Sequence, residues 1–208
     1  MMAIESLPVS ILTMSMQREG ATIYYPQVIG LMDGTVQQSI NEAIYQEVQT
    51  LIQEQHEKQD TNTFAEMIGT FEIKTNERHV LSLTLTNFAF AAGHANGLTL
   101  IKGLTFDTTT GKKYHLSELF KEGSDYVEVL SMHIKEQIEA RDIPLIVDFT
   151  QISPNQDYYI ADKALVIFFQ TIEIAPHSEG SPMFPISVFA LEDIITEDGP
   201  LGRMATNS

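Results

Sequence analysis

Two amphipathic stripes of helical spacing constrain the fold of this chain more than any other feature. In the first stripe, apolar residues recur three or four positions apart, at Val36, Ile40, Ile44, Val48, Leu51 and Ile52. In the second stripe, they recur at Val127, Leu130, Ile134 and Ile138. Because this spacing places apolar side chains on one face of a helix, it predicts helices near residues 35–53 and 124–141.

Segments with strand-like alternation surround both predicted helices. Between positions 81 and 85 every second residue is leucine, with serine or threonine between them, which is typical of a half-buried antiparallel strand. Strands are predicted at residues 9–17, 21–25, 64–74, 78–91, 97–107, 157–162, 164–174 and 186–190, with a hairpin turn at residues 75–77. Helices and strands do not alternate strictly, which disfavours a doubly wound parallel sheet. The sequence therefore predicts an α+β fold, with two main helices packed on a mainly antiparallel sheet.

The length of 208 residues suits one large domain or two small associated halves. We predict a single α+β unit over residues 1–195, with an N-terminal subregion at about 9–90 and a C-terminal subregion at about 91–195. Residues 196–208 are polar and contain glycine, so they are predicted to form a mobile tail.

The charge balance restricts the class of partner. The chain has 12 basic and 28 acidic residues, a formal net charge of -16. Nucleic acids and anionic membrane surfaces need a basic footprint, so the balance argues against both. A basic protein, a cation or a neutral glycan stays open as a partner, beside the simpler interpretation that the acidic surface keeps the protein soluble.

The chain contains no cysteine, which excludes thiol catalysis, disulfides and cysteine-ligated zinc. No stretch approaches the roughly 20 consecutive apolar residues of a transmembrane helix. The first 16 residues lack the basic start and apolar run of a signal peptide. A cytoplasmic location is therefore expected if the chain is complete, and an extracytoplasmic one if a leader has been removed. The sequence does not indicate an oligomeric state.

No catalytic signature occurs in the sequence. It has no glycine-rich phosphate loop, no His-Glu-x-x-His pair and no Gly-x-Ser-x-Gly elbow. A hydrolase or metalloenzyme centre built from His94, His177 and Asp107 is the alternative, although their spacing does not indicate one. Asp107 precedes Thr-Thr-Thr-Gly and is more typical of a turn former than of a general base. We therefore expect no catalytic residues, no bound metal and no cofactor.

Two loops are candidates for ligand binding. Residues 91–97, AAGHANG, crowd small residues around one histidine, which suits either a tight backbone connection or a loop that presents the histidine at a cleft. Residues 174–182, IAPHSEGSP, contain two prolines and suit either a rigid crossover or a recognition surface. We expect the two loops to lie near each other and to shape a cleft. The candidate ligand-binding residues are Gly93, His94, Asn96, His177, Ser178 and Glu179.

Several of these segments resemble the motifs of one bacterial family. Residues 104–120, LTFDTTTGKKYHLSELF, are similar to its central signature, and residues 24–27, YYPQ, to its early Tyr-Pro-Gln. Gly93-His94 with Gly97 resembles a degenerate form of its Gly-Ala-His-Gly motif. The C-terminal pattern is matched by DYYI at 157–160, LVIFF at 165–169, EIAP at 173–176 and Gly180.

The family is a bacterial domain of unknown function. It forms the extracellular part of the lysozyme-sensing anti-sigma factor RsiV and the N-terminal region of the peptidoglycan deacetylase PdaC. The resemblance implies an α+β fold of two associated subregions, no established catalysis by the domain itself, and an exported or membrane-tethered location. In the anti-sigma factor the domain binds lysozyme, a basic protein, and the acidic balance of this chain would suit such a partner. The expected function is therefore a non-catalytic binding or sensing domain for a protein or a cell-wall-related ligand.

Overall fold

The computed structural model describes residues 8–206. The chain divides into two compact units, Met1–Lys113 and Tyr114–Ser208. Within the described residues, no helix is both long and apolar enough to cross a membrane.

The first unit is a five-stranded sheet with one long helix. Its strands, hydrogen-bonded in sequence order, are β1 (Ser10–Arg18), β2 (Ala21–Ile29), β3 (Phe64–Glu77), β4 (Val80–Ala91) and β5 (Leu98–Asp107). All neighbours are antiparallel except β2 and β3, which pair in parallel. The helix α1 (Gly34–Lys58) forms the crossover between these two strands, since parallel neighbours cannot be joined by a tight turn.

Helix α1 begins where the sequence predicts, and Asp33 caps it. The side chain of Asp33 accepts hydrogen bonds from the backbone N–H groups of Thr35 and Val36, at 2.8 and 3.3 Å. These contacts satisfy two of the four amide groups that a helix start leaves without partners. The predicted apolar stripe lies in the core, with Ile40, Ile44, Val48 and Leu51 buried.

The helix continues beyond residue 53 because two glutamines bury their amides against the sheet. The Nε2 of Gln55 donates to the carbonyls of Asn87 and Leu98, at 2.8 and 3.0 Å. The Nε2 of Gln59 donates to the carbonyl of Ala89 at 3.1 Å and to Oε1 of Gln55 at 2.8 Å. The polar segment at residues 54–58 is therefore helix packed on β4 and β5, beyond the predicted end of the helix near residue 53.

The hairpin between β3 and β4 turns later than predicted. Its two connecting residues, Arg78 and His79, have φ angles of 52° and 61°. Two successive positive φ angles define the type I′ geometry that suits the twist of a two-residue hairpin. The prediction of the turn at residues 75–77 was wrong, since β3 runs through to Glu77.

The second unit has a three-stranded antiparallel sheet with a helix beside it. Its elements are α2 (Tyr126–Ala140), β6 (Tyr158–Ala161), β7 (Ala164–Phe168), β8 (Met183–Ser187) and a short α3 (Pro200–Ala205). Helix α2 buries Leu130, Ile134 and Ile138. It is joined to β8 by Gln137 and Arg141, whose side chains donate to the carbonyls of Pro185 and Met183 at 2.9 and 2.8 Å.

The structure confirms the α+β fold and both main helices, but it places the boundary between subregions elsewhere. A division at residue 90 would cut the β4–β5 hairpin, which is continuously paired from Ala89–Leu98 to Val80–Asp107. The two units instead meet between Lys113 and Tyr114.

The C-terminal segment, residues 196–208, is the part of the chain predicted to form a mobile tail. Helix α3 occupies part of it, with Leu201 and Met204 buried. Two apolar side chains with helical spacing provide the packing that the polar composition obscures. Residues 207 and 208 lie outside the described residues.

The buried glutamine contacts give a test of the first unit. We expect Gln55→Leu to lower the free energy of unfolding by about 2 kcal/mol, because it keeps the side-chain volume but removes the donor from two carbonyls. Urea unfolding measures the change. Gln53→Leu, on the exposed face of the same helix, is the matched control and should stay within about 0.5 kcal/mol of the parent. Equal stability of the two variants would contradict a structural role for the Gln55 amide.

Candidate functional site

The first predicted loop is the exposed connection between β4 and β5. Residues 92–96 are all exposed, and Gly93 has a φ of 90°, which side chains rarely adopt. At Gly97, an added Cβ would lie 2.3 Å from the ring of Phe88, so the chain needs glycine there to pass over that ring. The loop is thus a tight backbone connection that also exposes His94 and Asn96 to solvent.

Asp107 stands at the opposite end of the same strand pair from His94. The two are separated by the ten residues of β5, about 30 Å at roughly 3.3 Å per residue. The Oδ1 of Asp107 accepts hydrogen bonds from the N–H groups of Thr109 and Thr110, at 2.7 and 3.0 Å, and from the hydroxyl of Thr109. Asp107 therefore forms a turn, and it lies too far along the strand from His94 to share a site with it.

The second predicted loop carries a short 3₁₀ helix, His177–Glu179, whose three side chains are all exposed. Pro176 precedes this turn, and Gly180 ends it with a φ of 66°. At the base of the loop, the hydroxyls of Thr171 and Ser181 lie 3.1 Å apart. The proline and the hydrogen-bonded base restrict the turn, and the glycine permits the positive φ at its end.

Next to this loop lies a group of exposed aliphatic side chains that sequence reasoning missed. The N–H of Ile146 donates to the carbonyl of Ile174 at 3.0 Å, which places the two segments side by side. We call the group the aliphatic patch; its members, Leu145, Ile146, Val147 and Ile172, are 38 to 53% exposed. The signal in the sequence was the apolar run IPLIV at residues 143–147, which belongs to no helix or strand.

Ile172 combines this exposure with an unusual backbone. Its φ of 67° lies in the left-handed region. A β-branched residue is rare there, because Cβ approaches the backbone and costs about 1–2 kcal/mol. Such strained positions cluster at functional sites.

An acidic groove runs along α2 in the same unit. It encloses about 760 Å³, and its carboxylates come from Asp125, Glu128, Glu136 and Glu139, with Lys135 as the one cation among its lining residues. The hydroxyl of Ser131 fixes the groove by donating to the carbonyl of Val127 and accepting from the N–H of Ile152, at 2.5 and 3.0 Å. The electrostatic potential of this groove favours cations.

The six predicted ligand-binding residues fall into two sets. Gly93, His94 and Asn96 belong to the first unit, whereas the turn His177–Glu179 belongs to the second. The cleft between the two loops therefore stays a prediction. Among residues 8–206, no three histidine, aspartate or glutamate side chains are grouped so that they could hold a metal ion.

Comparison with family models identifies both units. Residues 19–99 match the model described as deacetylase PdaC, and residues 117–188 match the model described as a protein of unknown function, DUF3298. The two matches lie on either side of the boundary between the units. These two matches agree with the resemblance that the motifs predicted, to a bacterial domain family of unknown function that is associated with PdaC.

Two solved structures share the fold. A DUF3298 family member from Bacteroides fragilis NCTC 9343 is 11% identical, with a TM-score of 0.68 over 98% of this chain and 99% of that chain. A DUF3298 family protein from Pseudomonas aeruginosa PAO1 is 14% identical, with a TM-score of 0.68 over 93% of this chain and 96% of that chain. At these identities the likeness concerns the fold alone. No curated protein matches the chain.

The strain at Ile172 can be measured. We expect Ile172→Asn to raise the free energy of unfolding by about 1 kcal/mol, because asparagine adopts the left-handed region more readily than a β-branched residue. Ile146→Asn, an equally exposed aliphatic position without a positive φ, is the control and should give no gain. Thermal or urea unfolding supplies both values. A loss of stability in Ile172→Asn would show that packing of the isoleucine outweighs its backbone strain.

Proposed function

We propose that this chain is a non-catalytic binding or sensing domain, and that its ligand is a protein or a cell-wall-related molecule. The observation that carries the proposal is the aliphatic patch beside the rigid turn His177–Glu179. Exposed apolar groups rimmed by polar residues are characteristic of interaction surfaces. A surface of this kind can bury apolar area against a partner.

The backbone strain at Ile172 supports the same proposal. A residue in a costly conformation with half of its side chain in solvent gains little from the fold that holds it. If a partner covers that side chain, the burial contributes to binding and offsets the strain. The rigid loop beside it would lose little conformational entropy on association.

The charge distribution favours a basic partner. The formal net charge is -16, and the acidic groove along α2 lies in the same unit as the patch. Charge complementarity of this kind speeds association and makes it sensitive to salt. Lysozyme is the basic protein that the family resemblance suggests, so it is the first partner to test.

The test is a titration of the protein with lysozyme at low and moderate salt. We expect binding that weakens as salt rises, because screening shortens the range of the attraction. Ile146→Ser should weaken binding about fivefold to tenfold, as truncation of a central interface residue does. Ile73→Ser replaces an exposed isoleucine of the first unit and is the matched control. Replacing residues 177–179 by alanine tests the rigid loop.

The outcomes test separately whether lysozyme is the partner and whether the aliphatic patch is the binding surface. If lysozyme does not bind at either salt concentration, lysozyme is rejected, and soluble peptidoglycan fragments become the next ligand. If lysozyme binds but Ile146→Ser and the loop variant both match the parent, the patch is not the binding surface.

The competing proposal is a metalloenzyme that uses His94 or His177. We expect metal analysis of the purified protein to find no stoichiometric zinc, since neither histidine has two further ligating side chains grouped with it in the described part of the chain. Zinc at one equivalent, lost on His94→Ala or on His177→Ala, would overturn the binding proposal.

A further inference from the structure

A groove in the first unit is separate from both predicted loops. It lies between the β1–β2 turn, the C-terminal part of α1 and the start of β3, and it encloses about 690 Å³. Pockets for small molecules commonly range from about 300 to 1,000 Å³. Its apolar lining comes from Met16, Ile23, Ile52, Phe64 and Met67.

Glycine at the β1–β2 turn allows the wall of this groove to form. The carbonyl of Gly20 accepts a hydrogen bond from the N–H of Met67 at 2.8 Å, which fastens the turn to β3. Gly20 has a φ of 70°, and an added Cβ would lie only 3.0 Å from the carbonyl oxygen of Phe64. The close approach holds the turn at a fixed distance from the sheet, so the groove is preformed.

His56 contributes a hydrogen-bond acceptor to the groove. Its Nδ1 lies 2.8 Å from the carbonyl oxygen of Thr61. A carbonyl can only accept, so Nδ1 carries the hydrogen and Nε2 of the neutral ring keeps its lone pair. The ring packs on Phe64 with 4.9 Å between centroids, and Nε2 has no hydrogen-bond partner among residues 8–206.

The groove also contains a permanent cation. Arg18 lines it, and within residues 8–206 its guanidinium forms no ion pair or hydrogen bond. A guanidinium stays charged at all ordinary pH values and matches the geometry of a carboxylate. Glu19, the next residue, also lines the groove and would oppose an anion.

We propose that this groove binds a small amphipathic carboxylate, in which an apolar chain carries an N–H or O–H donor beside the carboxylate group. The chain lies on the apolar lining, the donor bonds Nε2 of His56, and the carboxylate pairs with Arg18. Acylated amino acids have all three features. This site goes beyond the proposed binding function and does not depend on it, since it uses none of the residues of the aliphatic patch or of the two loops.

Three probes separate the contributions of the three groups. N-decanoylglycine has the chain, the N–H and the carboxylate; its methyl ester lacks the charge; N-decanoylsarcosine lacks the N–H. Calorimetric titration below the concentration of micelle formation gives the affinities. We expect the ester and the sarcosine compound each to bind about threefold to tenfold more weakly than N-decanoylglycine.

Matched variants assign each contribution to a residue. Arg18→Gln should bring the affinity of N-decanoylglycine down to that of its ester. His56→Asn can keep a donor near the Thr61 carbonyl but lacks Nε2. In this variant the affinity for N-decanoylglycine should fall to that for N-decanoylsarcosine. Glu19→Gln should tighten binding of the charged probe about twofold, because it removes a like charge. Ala65→Trp, at an exposed lining position, should block all three probes.

The results decide between the groove and other sites. Unchanged affinities in Ala65→Trp would show that the probes bind elsewhere and would overturn the proposal. Unchanged affinity for N-decanoylglycine in both Arg18→Gln and Glu19→Gln would show that neither charge acts on the carboxylate and would overturn its pairing with Arg18. Thermal unfolding of each variant checks that the fold is retained. None of these outcomes bears on lysozyme binding by the aliphatic patch. The proposal for the groove and the proposal for the binding surface can therefore be rejected independently.

Discussion

The parallel pairing of β2 with β3 is the contact on which the first unit depends. It joins the β1–β2 hairpin to the β3–β4–β5 meander, and it spans only three residues, from Ala21–Met67 to Ile23–Gly69. At Gly69 an added Cβ would lie 2.5 Å from Cγ2 of Ile23, so the strands can approach only because that residue is glycine. Helix α1 must cross over the sheet to connect the two strands, and this brings its side chains onto β2, β4 and β5.

Because the pairing of β2 with β3 is so short, backbone groups of β2 are left without a strand partner there. Amide side chains of α1 form hydrogen bonds with some of these groups. Among residues 8–206, β2 has no paired strand on the side of β3 beyond Ile23. The Asn41 amide bonds both the N–H and the carbonyl of Val28, at 2.7 and 2.9 Å, much as a neighbouring strand would. Gln55 and Gln59 do the same for carbonyls of β4 and β5. The helix therefore supports the sheet through directional hydrogen bonds as well as through its apolar face.

These amides explain which parts of the fold the sequence could predict. The apolar stripes of α1 and α2 are visible as a period, and both helices were found. A buried glutamine looks like a solvated one in the same pattern, so the predicted helix ends near residue 53, short of the end of α1 at Lys58. Asn76 was assigned to a turn for a similar reason. It lies in β3, where its amide bonds the N–H and carbonyl of Val9, 67 residues away, at 2.9 and 2.8 Å.

The candidate sites likewise combine features that the local sequence indicates with features that depend on contacts between distant residues. Local composition correctly indicated two loops that expose their polar residues and a turn at Asp107. The strand predicted at residues 97–107 already separates His94 from Asp107, and the structure has β5 between them. Local composition could not show that the run at 143–147 is left in solvent, since apolar residues are normally buried.

The groove beside His56 and the aliphatic patch suit different kinds of ligand because they differ in shape. The groove beside His56 is concave, and its lining includes the Nε2 acceptor of His56, the cation of Arg18 and the carboxylate of Glu19. A small molecule can be surrounded there, so each polar group contributes in a partly desolvated setting. The aliphatic patch, by contrast, is an exposed surface and encloses nothing. It gains from burial only if a partner covers several of its side chains at once, which requires a macromolecule.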